Sequence, residues 1–346
     1  MTPTEETHQK VIEYEAHKRQ GNLSAETASI LAERAAELVI ENYQNGEGCL
    51  REAVNLICEI ATHQNPEVAR AGIKALFPSL VERLNDSFEP AACRLYDELF
   101  AQVIEFCRRL PSGKRLDEGL KRFGLMSEAD LLARKDNLRH RQGLRAPIRN
   151  GERKRSEFSK AEISLGGRSL TLPVPQKILL SSRITIGADV AVTSPVIAKL
   201  RQTMPQTEFV ILGSRKLREL YGGDNRIRIR EITYERGGGL ISRLTSWLDM
   251  VEAVSEERLG LGRDEVWIVD PDSRLTQLGL LPLVENDHNY FFFESRSYRG
   301  NVRSSAFRRQ TSSEDASLEE SQPPEGGTTA TIAQLAAAWS GEMTDN

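Results

Sequence analysis

The stretch KILLSSRITIGADVAVTSPVIAKLRQTMPQTEFVILGSRKLRELYGG, residues 177–223, is where the chain changes from helical periodicity to alternating strand and helix patterns. A short apolar run, Ile178–Ser181, leads into a loop containing Gly187, then a helical pattern running to Met204, then a second apolar run at Glu208–Leu212. Short apolar runs bounded by turn residues read as strands buried on both faces. Further runs at Ile227–Glu231, Glu265–Val269 and Tyr290–Phe293 alternate with helical stretches. Such alternation implies an α/β fold with a doubly wound parallel sheet, so residues 177–300 are expected to form a Rossmann-like domain.

Working outward, Ala161–Leu165 and Arg168–Leu172 alternate on either side of Gly166-Gly167, a two-residue hairpin signal. Before them lies a basic stretch with Arg139, Arg141, Arg145, Arg149, Arg153, Lys154 and Arg155. Without interleaved aromatics it is expected to be a solvated linker rather than a nucleic-acid arm; residues 143–176 are assigned to linker and hairpin. Residues 1–142 carry apolar positions three and four apart, as at Leu31, Ala35, Leu38 and Val39, and form an all-helical region of six or seven helices. Ser24 is placed to N-cap one helix, and Asn65-Pro66 and Glu89-Pro90 put proline in the first turn of two others. This bundle offers a possible protein-docking surface, with a purely structural role as the alternative. Residues 301–330, rich in Ser, Glu, Pro and Gly, are expected to be a disordered linker, and 331–346 to begin a further segment.

The 46 basic and 50 acidic residues nearly cancel, which disfavours nucleic acid and anionic membranes as charge-driven partners. The amino terminus lacks the apolar core of a signal peptide and no apolar run is long enough for a transmembrane segment, so a cytoplasmic protein is expected. Cys49, Cys58, Cys93 and Cys107 sit in helical patterns without metal-ligand spacing and read as core residues; no metal site is assigned. No G-x-G-x-x-G follows a strand, so no dinucleotide cofactor is assigned. Gly237-Gly238-Gly239 reads as a flexible turn, with phosphate cradling as the sharper alternative. Asp270-Pro271-Asp272-Ser273 follows a strand at a ligand-facing end, or caps a helix after Ser273.

In the 177–223 stretch, Ile186, Gly187, Asp189, Val190, Thr193 and Pro195 follow the first strand in an order that resembles the opening βαβ unit of the heptosyltransferases, GT-B glycosyltransferases that use ADP-heptose. Ala188 is one residue more than the family pattern has between glycine and aspartate, while the spacing from Asp189 to Pro195 is kept. The resemblance covers roughly a third of the chain and only the acceptor side. It implies inverting transfer of a hexosyl or heptosyl group from a nucleotide-sugar donor to a saccharide acceptor, with Asp189 as the general base. A carboxylate there would take the acceptor hydroxyl's proton as the hydroxyl attacks; the alternative is that Asp189 only N-caps the helix. Gly187 is expected to allow a tight turn, and Arg183, Gly187 and Thr193 are the candidate acceptor-binding residues. No second βαβ series follows Gly300, so the donor-binding half of a GT-B architecture is expected to lie beyond this sequence. A non-catalytic protein that recognises a saccharide or nucleotide and docks a partner on its helices is the alternative.

Overall fold

The structure, a computed structural model, describes residues 2–86, 90–143, 160–165, 168–234, 238–294 and 336. Its first part is helical throughout: α1 (Pro3–Gln20), α2 (Ala25–Gln44), α3 (Arg51–Ala61), α4 (Pro66–Lys74), α5 (Glu82–Asp86), α6 (Pro90–Arg108), α7 (Lys114–Arg122) and α8 (Glu128–Gly143). The expected caps form where the described residues include them. Ser24 accepts from the Thr27 N–H and Asn65 from the Glu67 N–H, while Glu89 lies outside the described residues. Helices α4 and α5 are one rod joined by the π-helical turn Ala75–Val81 around Pro78. A proline inside a helix removes a donor and crowds the previous turn, and the wider π turn accommodates it. Cys58, Cys93 and Cys107 are buried, as core residues should be. No described helix is long and apolar enough to cross a membrane.

The second part is a five-stranded, all-parallel sheet of β3 (Lys177–Ser181), β4 (Glu208–Gly213), β5 (Ile227–Glu231), β6 (Val266–Asp270) and β7 (Tyr290–Phe292), in the order β5-β4-β3-β6-β7. These bounds lie within a residue or so of the sequence expectation. Upstream, β1 (Lys160–Leu165) and β2 (Arg168–Pro173) pair antiparallel, with Leu165 opposite Arg168 as the hairpin signal requires. Side chains alternate strictly across the parallel sheet. Ile178, Leu180, Phe209, Ile211, Trp267 and Val269 pack beneath α10 (Ser194–Thr203) and α11 (Leu217–Tyr221). Leu179, Val210, Leu212, Ile268 and Phe292 face α12 (Leu240–Glu257) on the other side. Ala336 is helical and fully buried in the cluster beneath α10, so this position of the 331–346 segment belongs to the sheet's own core; the 301–330 linker lies outside the described residues.

The edge strand β5 is kept from further pairing by charge. Arg228 reaches Glu208 and Glu257, and Arg230 pairs with Glu256. Lys177 joins them at 3.0 Å from Glu257. The Arg228 guanidinium beside Glu257 holds that carboxyl down at about 2 against its burial.

The helical region and the sheet share a core: one continuous apolar cluster runs from α1–α8 through α12 to the near face of the sheet. Phe123 meets Trp247 at 5.7 Å between ring centres, and a Cβ on Gly119 would come within 2.5 Å of Leu248. Helix α8 completes the join with charge. Its Lys135 is fully buried, 2.9 Å from Glu294, and donates to the Leu278 carbonyl. Arg134 donates to the Gly279 carbonyl and reaches Asp287 at 2.8 Å. Arg139, expected in a solvated linker, instead grips Glu294 with two hydrogen bonds of 3.0 and 2.8 Å and also pairs with Asp97. The arginines and lysine from 145 to 155 lie outside the described residues.

Two measurements check this account. Removing one partner of a buried ion pair leaves an uncompensated charge, so Glu294→Ala should cost about 3–5 kcal/mol in denaturant unfolding. Lys135→Met combined with Glu294→Gln should cost less than the sum of the two single changes, and strict additivity would show that the pair is not coupled. At the β5 edge, the folded-state pKa of Glu257 is lowered from 4.5 to about 2, so its contribution is present above the unfolded value and is lost as pH falls through that window. Glu257→Gln should therefore flatten the acid limb of stability against pH between those values.

Candidate functional site

In open parallel sheets the ligand crevice lies beyond the carboxyl ends of the strands, where the chain order reverses. Here that point falls between β3 and β6, which are hydrogen-bonded neighbours with β4 on one side and β7 on the other. The two loops that leave them are 182–185 and 271–273, and each contains a residue with backbone in the left-handed region. Ile184 has φ 77° and Asp272 has φ 67°. For a β-branched residue this is a strained conformation, costing on the order of 1–3 kcal/mol, which persists only when the surroundings over-determine it.

Asp189 supplies much of that determination. Its carboxylate accepts from the Ser182 hydroxyl, the Arg183 N–H and the Thr193 hydroxyl, all at 2.8 Å. The Ile184 N–H in turn donates to Ser182 Oγ at 3.0 Å, and the Ile184 side chain packs toward the shared apolar core. Asp189 is not the N-cap of its helix. Thr185 holds the N-cap position of α9 (Ile186–Ala188), without a side-chain cap bond, and Asp189 follows as the first residue of the π turn Asp189–Thr193. From the start of this π turn the Asp189 carboxylate reaches Ser182 and Arg183 of the loop.

The positions of the candidate residues follow. Asp189 is 1 % exposed and Thr193 fully buried, bonded to each other rather than facing the crevice. Gly187 is exposed and its backbone is not in the left-handed region; a Cβ there would meet nothing within 4 Å. The tight turn expected of Gly187 is therefore made by Ile184, and Gly187 instead leaves the first helical turn uncovered. Arg183 lies at the mouth, 15 % exposed, with its guanidinium 3.8 Å from the buried Asp272.

The β6 side is equally built. Ser273 donates from Oγ to the Ser182 carbonyl at 2.6 Å, tying the two loops together. Its hydroxyl also accepts from the Leu275 N–H, so the turn-capping reading holds, although what it caps is a 3-10 turn, Arg274–Thr276, rather than a helix. Asp270 accepts from the Ser273 N–H, the Thr276 hydroxyl and the Tyr290 hydroxyl. Burial pushes its carboxyl above the ordinary range despite these donors, and burial raises the Tyr290 phenol as well. Ser182, Ile184 and Tyr290 carry the site but had no sequence signal. Ser182 is one of two adjacent serines at a strand end, and only the fold distinguishes it from Ser181.

The first residue of the triple glycine lies outside the described residues, and Gly239 is the N-cap of α12. No group of three or more His, Cys, Asp or Glu side chains among the described residues could hold a metal ion. The mouth thus presents the Arg183 guanidinium, facing Asp272, beside the exposed residues Thr185–Gly187. Compared with models of known protein families, with curated proteins and with solved structures, the chain matches none of them.

Proposed function

We propose that residues 177–294 are the acceptor-binding half of an inverting glycosyltransferase of the heptosyltransferase type, acting with a nucleotide-sugar donor and a saccharide acceptor. The observation that carries this reading is the switch-point mouth itself. A strained turn at Ile184 and a left-handed turn at Asp272 hold Arg183 beside the exposed first turn at Thr185–Gly187. Strained backbone maintained by a dedicated hydrogen-bond network is a feature of ligand sites. Arg183 offers a planar donor fork suited to an acceptor carboxylate or phosphate.

Within this reading Asp189 is a positioning residue in the described state. Its oxygens are already engaged by three donors, and service as the base requires the 182–185 loop to open. The alternative, a saccharide- or nucleotide-recognising protein without transfer chemistry, is favoured by one observation: Asp189, Asp270 and Asp272 are all buried. A general base must come within hydrogen-bond reach of the proton it takes.

Substitution at Asp189 separates the two. Asp189→Ala leaves buried donors unsatisfied and should cost about 1–3 kcal/mol per donor lost, read by thermal or denaturant unfolding. Asp189→Asn keeps an acceptor for Arg183 N–H and Thr193 and should cost about 1 kcal/mol. With a donor-binding half present, turnover that survives Asp189→Asn at full rate would exclude Asp189 as base and leave it a pin.

Arg183→Ala tests the mouth directly. Acidic saccharide binding, measured by saturation-transfer NMR with trigalacturonate, should be lost while the unfolding midpoint shifts little. Undiminished transfer to trigalacturonate in Arg183→Ala would remove Arg183 from the acceptor site.

A further inference from the structure

The corner where β4 passes into α11 bears on the switch-point loop at two places. The first is Gly213, the last residue of β4. A Cβ there would lie 2.4 Å from Ser182 Cβ and 2.7 Å from a Leu217 methyl carbon, so Ser182 is seated directly against bare backbone beside α11. In a close-packed interior a side chain at 213 finds room only if Ser182 or Leu217 moves. From its seat Ser182 Oγ donates to the Asp189 carboxylate at 2.8 Å and accepts from the Ile184 N–H at 3.0 Å.

The second place is Tyr221, the last residue of α11. It is 8 % exposed, and its hydroxyl lies 2.8 Å from Ser194 Oγ and 3.5 Å from the Asp189 carbonyl oxygen. Ser194 Oγ donates to that same carbonyl at 3.2 Å, which leaves the phenol as the donor to Ser194. Burial pushes the Tyr221 phenol up to about 12, so it keeps its proton and remains a donor through the neutral range. The Ser194 N–H also donates to the Asp189 carbonyl, closing the π turn.

Holding the Asp189 carbonyl orients the peptide plane that leaves this residue, because that plane is rigid. It thereby restricts the direction from which the Asp189 side chain departs. The carboxylate reaches Ser182, the Arg183 N–H and Thr193 from that direction. One residue is therefore held at its main chain from α11 and holds the loop with its side chain, while Gly213 seats the loop's other anchor, Ser182.

We infer that Gly213, Tyr221 and Ser194 are positioning residues for the switch point, so that the β4–α11 corner sets the conformation of loop 182–185 and the placement of Arg183. The inference does not depend on the glycosyltransferase reading, because it is tested without a ligand. Amide hydrogen exchange by NMR on the full chain tests it. In Tyr221→Phe the Arg183 N–H, held by Asp189, should exchange about tenfold or more faster; in Gly213→Ala the Ile184 N–H, held by Ser182, should do so. The Glu208 and Phe293 N–H groups, bonded to the Gln176 and Asp270 carbonyls elsewhere in the sheet, should keep their rates. Arg218→Ala, which removes an exposed ion pair between α11 and Glu231, should move neither loop amide. Unchanged exchange at Arg183 in Tyr221→Phe would overturn the role of Tyr221 and Ser194, and unchanged exchange at Ile184 in Gly213→Ala that of Gly213. Equal acceleration of all four amides would overturn both, since the variants would then lower global stability alone.

Discussion

The crossing from β6 to β7 is made without an α-helix, and the rest of the structure depends on how its backbone is satisfied. A parallel crossover is ordinarily covered by a helix that consumes its own carbonyls. Here residues 274–284 turn through Gln277, Leu278 and Gly279, all with positive φ, and bury a run of leucines instead. Gly279 must be glycine, since its φ is 86° and a Cβ would lie 2.7 Å from the Phe292 ring. The turn leaves the Leu278 and Gly279 carbonyls inside the protein, and Lys135 and Arg134 of α8 donate to them. A helix distant in sequence thus does the work of the missing crossover helix. This is why the helical region cannot be detached from the sheet without exposing buried carbonyls as well as apolar surface.

That arrangement also explains which parts of the fold were legible in the sequence. Strands β3, β4, β6 and β7 are short apolar runs between turn residues, as strands of a parallel sheet buried on both faces produce directly, whereas the edge strand β5 alternates isoleucine with arginine. The helices of the first part were legible through their spacing and through caps such as Ser24 and Asn65. The docking of α8 was not. Arg134, Lys135 and Arg139 look like surface charges in a basic stretch, and only their partners Asp97, Glu294 and the crossover carbonyls, remote in sequence, distinguish them from solvated side chains. Charge patterns in sequence report composition, whereas burial of a charge is decided by tertiary pairing.

The site shows the same division. The strand, loop and helix around Asp189 were readable. The burial of its carboxylate among three donors was not, because Asp189 begins a π turn and nothing in local sequence specifies one. Glycine proved a misleading guide for a physical reason as well. Gly187 was expected where the chain turns tightly, yet the left-handed residue is Ile184, held there by Ser182 and by its own packing into the core. Tertiary restraint can impose a conformation that intrinsic preference would assign to another residue.

The two loops of the switch point are joined to each other by a buried hydrogen bond. Ser273 bonds the Ser182 carbonyl, Ser182 bonds Asp189, and Asp189 holds the Arg183 amide, so a continuous line of hydrogen bonds runs from the end of β6 to the base of the Arg183 side chain. On the far side, Asp270 is held by Tyr290 of β7 and Thr276 of the crossover. The same crossover receives Arg134 and Lys135 from α8. The orientation of Arg183 is therefore coupled, through a chain of buried hydrogen bonds, to the contact between the helical region and the sheet. A buried polar network of this sort rigidifies what it connects when every member is satisfied. The helical region accordingly does more than cover one face: by fixing the crossover it fixes the frame on which the mouth is built.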